Sequence, residues 1–234
     1  MAYGHVISDL HLLTPWSAAE EYLAEMQEAA GRSDFFVLNG DIFDFRWSEL
    51  STIDRSVDAA IDWLRAFMDA APRCRLIYVL GNHDNLRDLA GRLDELQAEG
   101  EHFDWRPSHV RIGSALFTHG DLLLRADVVD PFRRRLQPSV VKKSKTLSRV
   151  YHLLHTMRMH RWYAPVYGER RLARRMVRAM DRAGNGVMKG VTDVYFGHVH
   201  MRFTDFNYRG LTFHNTGSVI NGLPWHMLEV DVET

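Results

Sequence analysis

The chain has 234 residues, is 46% hydrophobic and 25% charged, and carries a net charge of −1. That suits one globular domain, or one with a sizeable insertion, and excludes wholesale disorder. Cys74 is the only cysteine, so an intrachain disulfide is impossible and a reducing cytoplasm is the expected home.

His5-Val6-Ile7-Ser8 reads as a short buried strand that delivers Asp9 at its carboxyl end. A helix is expected over Ser17 to Ala30, with Ser17 as N-cap, Glu20 completing a capping box and Gly31 as the stop. Phe35-Phe36-Val37-Leu38 is the second strand and ends in Asn39-Gly40-Asp41. Thr52 to Ala71 is an amphipathic helix ended by Pro72. Leu76 to Leu80 is the third strand and runs into Gly81-Asn82-His83-Asp84. Strand and helix alternate as in a parallel sheet covered by helices, and such sheets place sites at the carboxyl ends of strands.

After Asp84 the pattern changes. A helix is expected from Leu86 to Ala98. Val110 to Ile112 and Ala115 to Phe117 read as a hairpin around Gly113-Ser114. Asp193 to Phe196, Arg202 to Tyr208, Leu211 to Asn215 and Trp225 to Val232 follow as strands, the middle two turning at Arg209-Gly210. The second half is therefore expected to be mostly antiparallel, and the fold class mixed, α+β with α/β.

Between these lies a basic segment. Residues 125–189 hold 17 Lys/Arg against Asp127, Asp130, Glu169 and Asp181. Three helical stretches are expected there: Asp130 to Leu136, Lys145 to Met159 and Pro165 to Ala183. In the last, Leu172, Met176, Ala179 and Met180 share one face, ringed by arginines. The segment reads either as a solvated face neutralising an acidic body or as a lid for an anionic head group or membrane surface. Nucleic acid is the least favoured partner, for want of interleaved aromatic platforms. No signal peptide is expected, and no apolar stretch approaches the ~18 residues of a spanning helix.

Five clusters carry the chemistry: Asp9-Leu10-His11, Gly40-Asp41-Ile42-Phe43-Asp44, Gly81-Asn82-His83-Asp84, Thr118-His119-Gly120-Asp121 and Gly197-His198-Val199-His200. Most follow a short apolar run. Two divalent ions, about 3.5–4 Å apart, need several N/O ligands with one of them bridging. Asp9, His11, Asp41, Asn82, His119, His198 and His200 supply such a set, Asp41 being the best bridging carboxylate. Carboxylate and imidazole without thiolate suit Mn²⁺, Fe or Zn²⁺ rather than Ca²⁺.

These clusters, in this order, resemble the calcineurin-like metallophosphoesterase superfamily. The match spans Ser8 to His200, and Asn215-Thr216-Gly217-Ser218 is similar to the Asn-Pro-Gly-Ser that often follows. The resemblance implies a four-layer α/β/β/α sandwich, with residues 1–124 and 190–234 as catalytic domain and 125–189 as a helical insertion. It implies two divalent cations, Mn²⁺ first. One ion would take Asp9, His11, Asp41 and His200, and the other Asp41, Asn82, His119 and His198. His83 would protonate the leaving oxygen, Asp84 would orient the His83 ring, and Asp44 would only support.

The resemblance extends to UDP-2,3-diacylglucosamine hydrolases through Gly40 to Trp47, Thr118 to Asp121 and the position of the basic insertion. Those enzymes usually have Arg after the Asn of the third block, where this chain has His83. The expected activity is hydrolysis of a phosphodiester or pyrophosphate bond in an anionic, lipid-linked or related substrate, at the cytoplasmic face of a membrane. A phosphomonoesterase or protein phosphatase, a nuclease and a non-catalytic metal-binding scaffold are the alternatives.

Overall fold

The structure, a computed structural model, describes residues 1–125, 128, 130–143, 168–183, 186–220 and 222–233. In the first of two five-stranded sheets, β1 (Ala2–Ile7), β2 (Phe35–Asn39), β3 (Arg75–Val79) and β4 (Phe103–Arg106) run parallel, and β10 (Leu228–Val232) pairs antiparallel with β1. The second has the order β5 (His109–Ile112), β6 (Ala115–Thr118), β7 (Asp193–Phe196), β9 (Leu211–Asn215), β8 (Phe203–Tyr208).

Alternation along the central strands builds the layers. Phe36, Leu38, Leu76 and Tyr78 point to the helices α1 (Leu23–Gly31), α2 (Ile53–Ala70) and α3 (Arg87–Ala98). Their neighbours Phe35, Val37, Ile77 and Val79 point the other way and meet Ala115, Phe117 and Tyr195 of the second sheet. On its outer face, Leu116, Val194, Phe196 and Phe213 pack against α4 (Asp121–Leu124) and α5 (Glu169–Ala183). The result is the expected four-layer α/β/β/α sandwich.

Several local expectations are corrected. The helix after β1 begins with a 3-10 turn at Ala19–Tyr22, and no side chain caps it. Ser17 lies one residue before the N-cap, Ala18; its hydroxyl donates to the Leu10 carbonyl at 2.6 Å and accepts from Ala19 N at 3.3 Å, tying the first ligand loop to the helix start. Thr52 does cap α2, accepting from the Arg55 N–H at 3.2 Å. The second sheet is less antiparallel than expected, since β6, β7 and β9 run parallel.

The strand β4, missed in the sequence, is a four-residue edge whose Phe103 joins the core. Asp130 to Leu136 is not helical. Its carbonyls serve tertiary partners, Phe132 O accepting from Ser108 Oγ at 2.5 Å and Arg135 O from Asn85 Nδ2 at 3.0 Å. The helix expected over Lys145 to Met159 lies outside the described residues. Of Pro165 to Ala183, Glu169–Ala183 is helical, with Leu172, Ala173, Met176, Val177, Ala179 and Met180 buried.

Candidate metal centre

Six parallel strands end at one edge of the sandwich. There β1 delivers Asp9, β2 Asp41, β3 Asn82, β6 His119, β7 His198 and β9 the Asn215–Ser218 turn. The two sheets are stitched at this edge. Asn39 Nδ2 at the end of β2 donates to Thr118 O and Tyr195 O, each at 3.1 Å. Asn215 Nδ2 donates to Gly197 O at 2.9 Å, and Ser218 Oγ to Asp9 O at 2.9 Å. These buried bonds fix where the ligand loops begin.

The loops bend sharply. Asp9, His11, Asp41, His198 and His200 all have positive φ, at 54°, 47°, 52°, 68° and 52°. A left-handed backbone costs a non-glycine residue roughly 1–2 kcal/mol, so the surrounding structure must hold these positions in place. Close approach demands glycine beside them. A Cβ on Gly81 would overlap Asp41 Oδ1, and one on Gly197 would overlap Asp9 Oδ2.

The predicted ligands fall into two nests. Asp9, His11 and His200 form one, Asp41, His119 and His198 the other, with ligand atoms in each within 4.8 Å of one another. In the first, Asp9 Oδ1 lies 3.1 Å from His200 Nε2, and His11 Nε2 lies 3.3 Å from His200 Nε2. In the second, Asp41 Oδ2 lies 3.0 Å from His119 Nε2. That His119 nitrogen is buried, yet it lacks the alignment of a hydrogen bond. The ring's other nitrogen, Nδ1, faces Asn39 O at 3.3 Å, leaving Nε2 as the free lone pair when Nδ1 carries the proton. Asn82 Oδ1 is also buried without a hydrogen-bond partner among the described residues. Converging acceptors with orphaned lone pairs fit divalent cations.

The charges agree. Burial alone would raise the Asp41 carboxyl, but His119 and then His83 hold it well below the usual range. Burial would lower His119, yet Asp41 lifts it to about 10. His198 is pushed down to about 4 by burial and by His119. In the protein alone a shared proton compensates the carboxylates, a task that a bound cation takes over.

Around His83 the structure reverses two expectations. Asp84 does not touch the ring. Its Oδ1 accepts from Gly81 N at 2.6 Å, and its Oδ2 from Tyr78 Oη at 2.7 Å and Ile42 N at 2.9 Å. Fully buried, it ties the third ligand loop to the second; burial, then Asp41, pushes its carboxyl up to about 6. The carboxylate at the ring is Asp44, whose Oδ2 lies 2.7 Å from His83 Nδ1 and 3.5 Å from His11 Nδ1. Burial would lower His83, but Asp41 and then Asp44 raise it to about 9. Arg46, inside the Gly40 to Trp47 block but given no role from the sequence, and Asn85, which the sequence did not mark, line a pocket with Asn82 and His83.

A double-sheet sandwich with a two-nest acidic and imidazole centre defines the class as metallophosphoesterase. Residues 5–202 match the Calcineurin-like phosphoesterase family, and the chain belongs to it. Membership brings metal-dependent phosphoester hydrolysis with two divalent ions. Among solved structures the chain is similar to a dimetal phosphatase from Danio rerio, with 13% identity, TM-score 0.52, and coverage of 99% of this chain and 92% of that one. It is also similar to a phosphopantetheinyl hydrolase from Mycobacterium tuberculosis, with 14% identity, TM-score 0.44, and coverage of 92% and 89%. A predicted phosphoesterase from Streptococcus pneumoniae shares 16% identity at TM-score 0.40, covering 98% and 83%. No curated protein matches the sequence. Among the described residues, no helix is long and apolar enough to cross a membrane.

Proposed function

We propose that this chain hydrolyses a phosphodiester or pyrophosphate bond. One ion would be held by Asp9, His11, Asp41 and His200, and the other by Asp41, Asn82, His119 and His198, with Mn²⁺ the first choice and Fe or Zn²⁺ the alternatives. When bound, the two ions supply charge neutralisation for the phosphoryl oxygens and an activated water.

The observation that carries the reading is the 2.7 Å pairing of Asp44 with His83 Nδ1 beside the nests. It fixes the ring, partly exposed at 30%, and leaves Nε2 to deliver a proton to a departing oxygen. An alcohol leaving group needs that proton, while a phosphate, a much weaker base, depends on it less.

The finer reading is a relative of the UDP-2,3-diacylglucosamine hydrolases acting on an anionic, lipid-linked phosphoester. It takes residues 125–189 as an insertion on a catalytic domain of 1–124 and 190–234. Exposed Arg170, Arg174 and Arg178, one turn apart on α5, support contact with an anionic head group or membrane at the cytoplasmic face. Purified protein supplied in turn with Mn²⁺, Co²⁺, Ni²⁺, Fe²⁺ and Zn²⁺ should cleave bis-p-nitrophenyl phosphate. No turnover with any of them sinks the reading, and a faster rate on p-nitrophenyl phosphate would make it a phosphomonoesterase.

A further inference from the structure

Asp9 uses its two carboxylate oxygens differently. Oδ1 faces the first nest, 3.1 Å from His200 Nε2 and 3.9 Å from His11 Nε2. Oδ2 faces the protein. It accepts from Ser8 Oγ and from His198 N at 3.0 Å, a bond that Oδ1 shares at 3.1 Å. Behind Ser8 stands Thr216, its Oγ1 2.6 Å from Ser8 Oγ. All three side chains are buried. Neither hydroxyl has a further hydrogen-bond partner among the described residues. The space around them is closed, since a Cβ on Gly197 would overlap Ser8 Oγ as well as Asp9 Oδ2.

Counting protons gives this chain of hydroxyls a direction. A carboxylate that binds metal is ionised and only accepts, and each hydroxyl carries one proton. The Ser8 proton goes to Asp9, so the Thr216 proton makes the bond between the hydroxyls. The opposite order would set a Ser8 lone pair against a buried carboxylate. Hydrogen bonds to an ionised acceptor are the strong ones, and a second donor behind the first polarises it further. Thr216 comes from the turn after β9, 208 positions from Ser8. The same turn holds the Asp9 backbone, since Asp9 O accepts from Ser218 Oγ at 2.9 Å and from Val219 N at 3.3 Å. The Asn-Pro-Gly-Ser that this turn resembles has proline where Thr216 stands, and proline has no hydroxyl to donate. The hydroxyl pair is therefore a property of this chain.

We propose that Thr216 and Ser8 are positioning residues for one of the two ions. Donation from Thr216 through Ser8 holds Asp9 Oδ2 toward the protein and presents Oδ1 to the ion that Asp9, His11, Asp41 and His200 would share. A partner that orients a ligand from behind sets metal affinity, roughly 10- to 100-fold when it is removed. The other ion would take Asp41, Asn82, His119 and His198, none of which touches either hydroxyl, so the loss falls on one ion. This rests on the ligand assignment above.

The test titrates Mn²⁺ calorimetrically into metal-free, full-chain wild type and variants, with bound metal counted by elemental analysis. Thr216→Val keeps the shape of threonine and removes the hydroxyl, whereas Thr216→Ser keeps the hydroxyl. Thr216→Val should weaken one of the two ions about tenfold and leave the other within about twofold, and Thr216→Ser should restore the loss. Ser8→Ala should weaken the same ion at least as much. Adding Thr216→Val to Ser8→Ala should then cost little more, because the effect of Thr216 runs through Ser8. Any variant that loses a buried hydrogen bond melts lower without metal; the split between the two ions is what a merely structural role would not produce. Wild-type affinity for both ions in Thr216→Val, an equal loss on both, or a full further loss in the double variant overturns the proposal. Thr216→Ala is read in the same way should Thr216→Val fail to fold. Wild type binding fewer than two ions removes the ligand assignment and the proposal with it. Two ions bound with the expected split but no phosphoester hydrolysis would remove the catalytic reading and leave the proposal standing.

Discussion

Asp44 and His83, 39 positions apart in the chain, meet at 2.7 Å beside the two ligand nests. The carboxylate's other oxygen accepts the N–H groups of Arg46 and Trp47, each at 3.1 Å. Burial would raise the Asp44 carboxyl, but hydrogen bonds from His11 and His83 hold it down at about 2. It is therefore anionic throughout the working range, and it keeps the ring oriented.

Asp44→Ala should slow turnover by roughly 10²-fold, within the span that a positioned general acid contributes. Metal content should change little, but the melting temperature should fall as well, because Asp44 is buried and the Arg46 and Trp47 N–H groups lose their acceptor. Asp84→Ala should do the reverse in emphasis: it leaves the Gly81 and Ile42 N–H groups and the Tyr78 hydroxyl without their buried acceptor, costing at least ~3 kcal/mol. Thermal melts and metal analysis of both variants check this. A thermally normal Asp84→Ala would contradict its tethering role.

Gly81→Ala should lose metal and activity together. The added Cβ overlaps Asp41 Oδ1, and the neighbouring loop is held by Asp84, so the carboxylate has to move. The bound-metal stoichiometry after dialysis, measured by elemental analysis, should fall below that of wild type.

Metal loading should release protons, and affinity should rise with pH. His119 sits near 10 in the protein alone and is protonated at neutral pH, yet a ligand imidazole must be neutral. The ion that takes His119 therefore competes with a proton whose hold weakens as pH rises. Titration of Mn²⁺ in two buffers of different ionisation enthalpy reads the proton count directly.

Arg134→Met should destabilise the fold by roughly 3–5 kcal/mol, the usual cost of breaking a buried pair. Arg134 contacts Asp121 through two nitrogens, at 2.5 and 3.0 Å, and the side chains are only 3% and 7% exposed. Burial would raise Asp121, but Arg134 and then His119 hold it below the ordinary value. Its contribution is thus present above the unfolded carboxyl pKa, about 4, and is lost as pH falls through the depressed folded value. Urea melts at pH 7 and pH 3.5 should show the variant's deficit shrinking in acid.

Cys74 should be inert in the native protein. It is 5% exposed, and burial pushes its thiol up to about 12, so little thiolate exists at pH 8. Reaction with a disulfide reagent should await unfolding.

Chain order and local chemistry were enough to read the ligand types, since each of the five clusters is contiguous and follows a strand of plain apolar residues. Asn39 could be read only as part of Asn39-Gly40-Asp41, because its partners Thr118 and Tyr195 are 79 and 156 positions away. The Ser17 capping box failed because tertiary packing starts the helix one residue later, with Ala18 as N-cap, while Ser17 N donates to Thr14 O and its hydroxyl reaches Leu10 O. Likewise Asp130 to Leu136 has helical composition, but its carbonyls are claimed from outside.

The sequence by itself determined the parallel order of the first three strands, the seven candidate ligands and the presence of a histidine beside them, because these depend on periodicity and on residue type at strand ends. Tertiary structure decided which carboxylate serves that histidine. Asp84 is its neighbour in the chain, but the left-handed turn at Asp41 (φ 52°) and the bonds from Gly81, Tyr78 and Ile42 turn Asp84 into the core. Asp44 reaches His83 only because the second and third loops lie side by side at the edge of one parallel sheet.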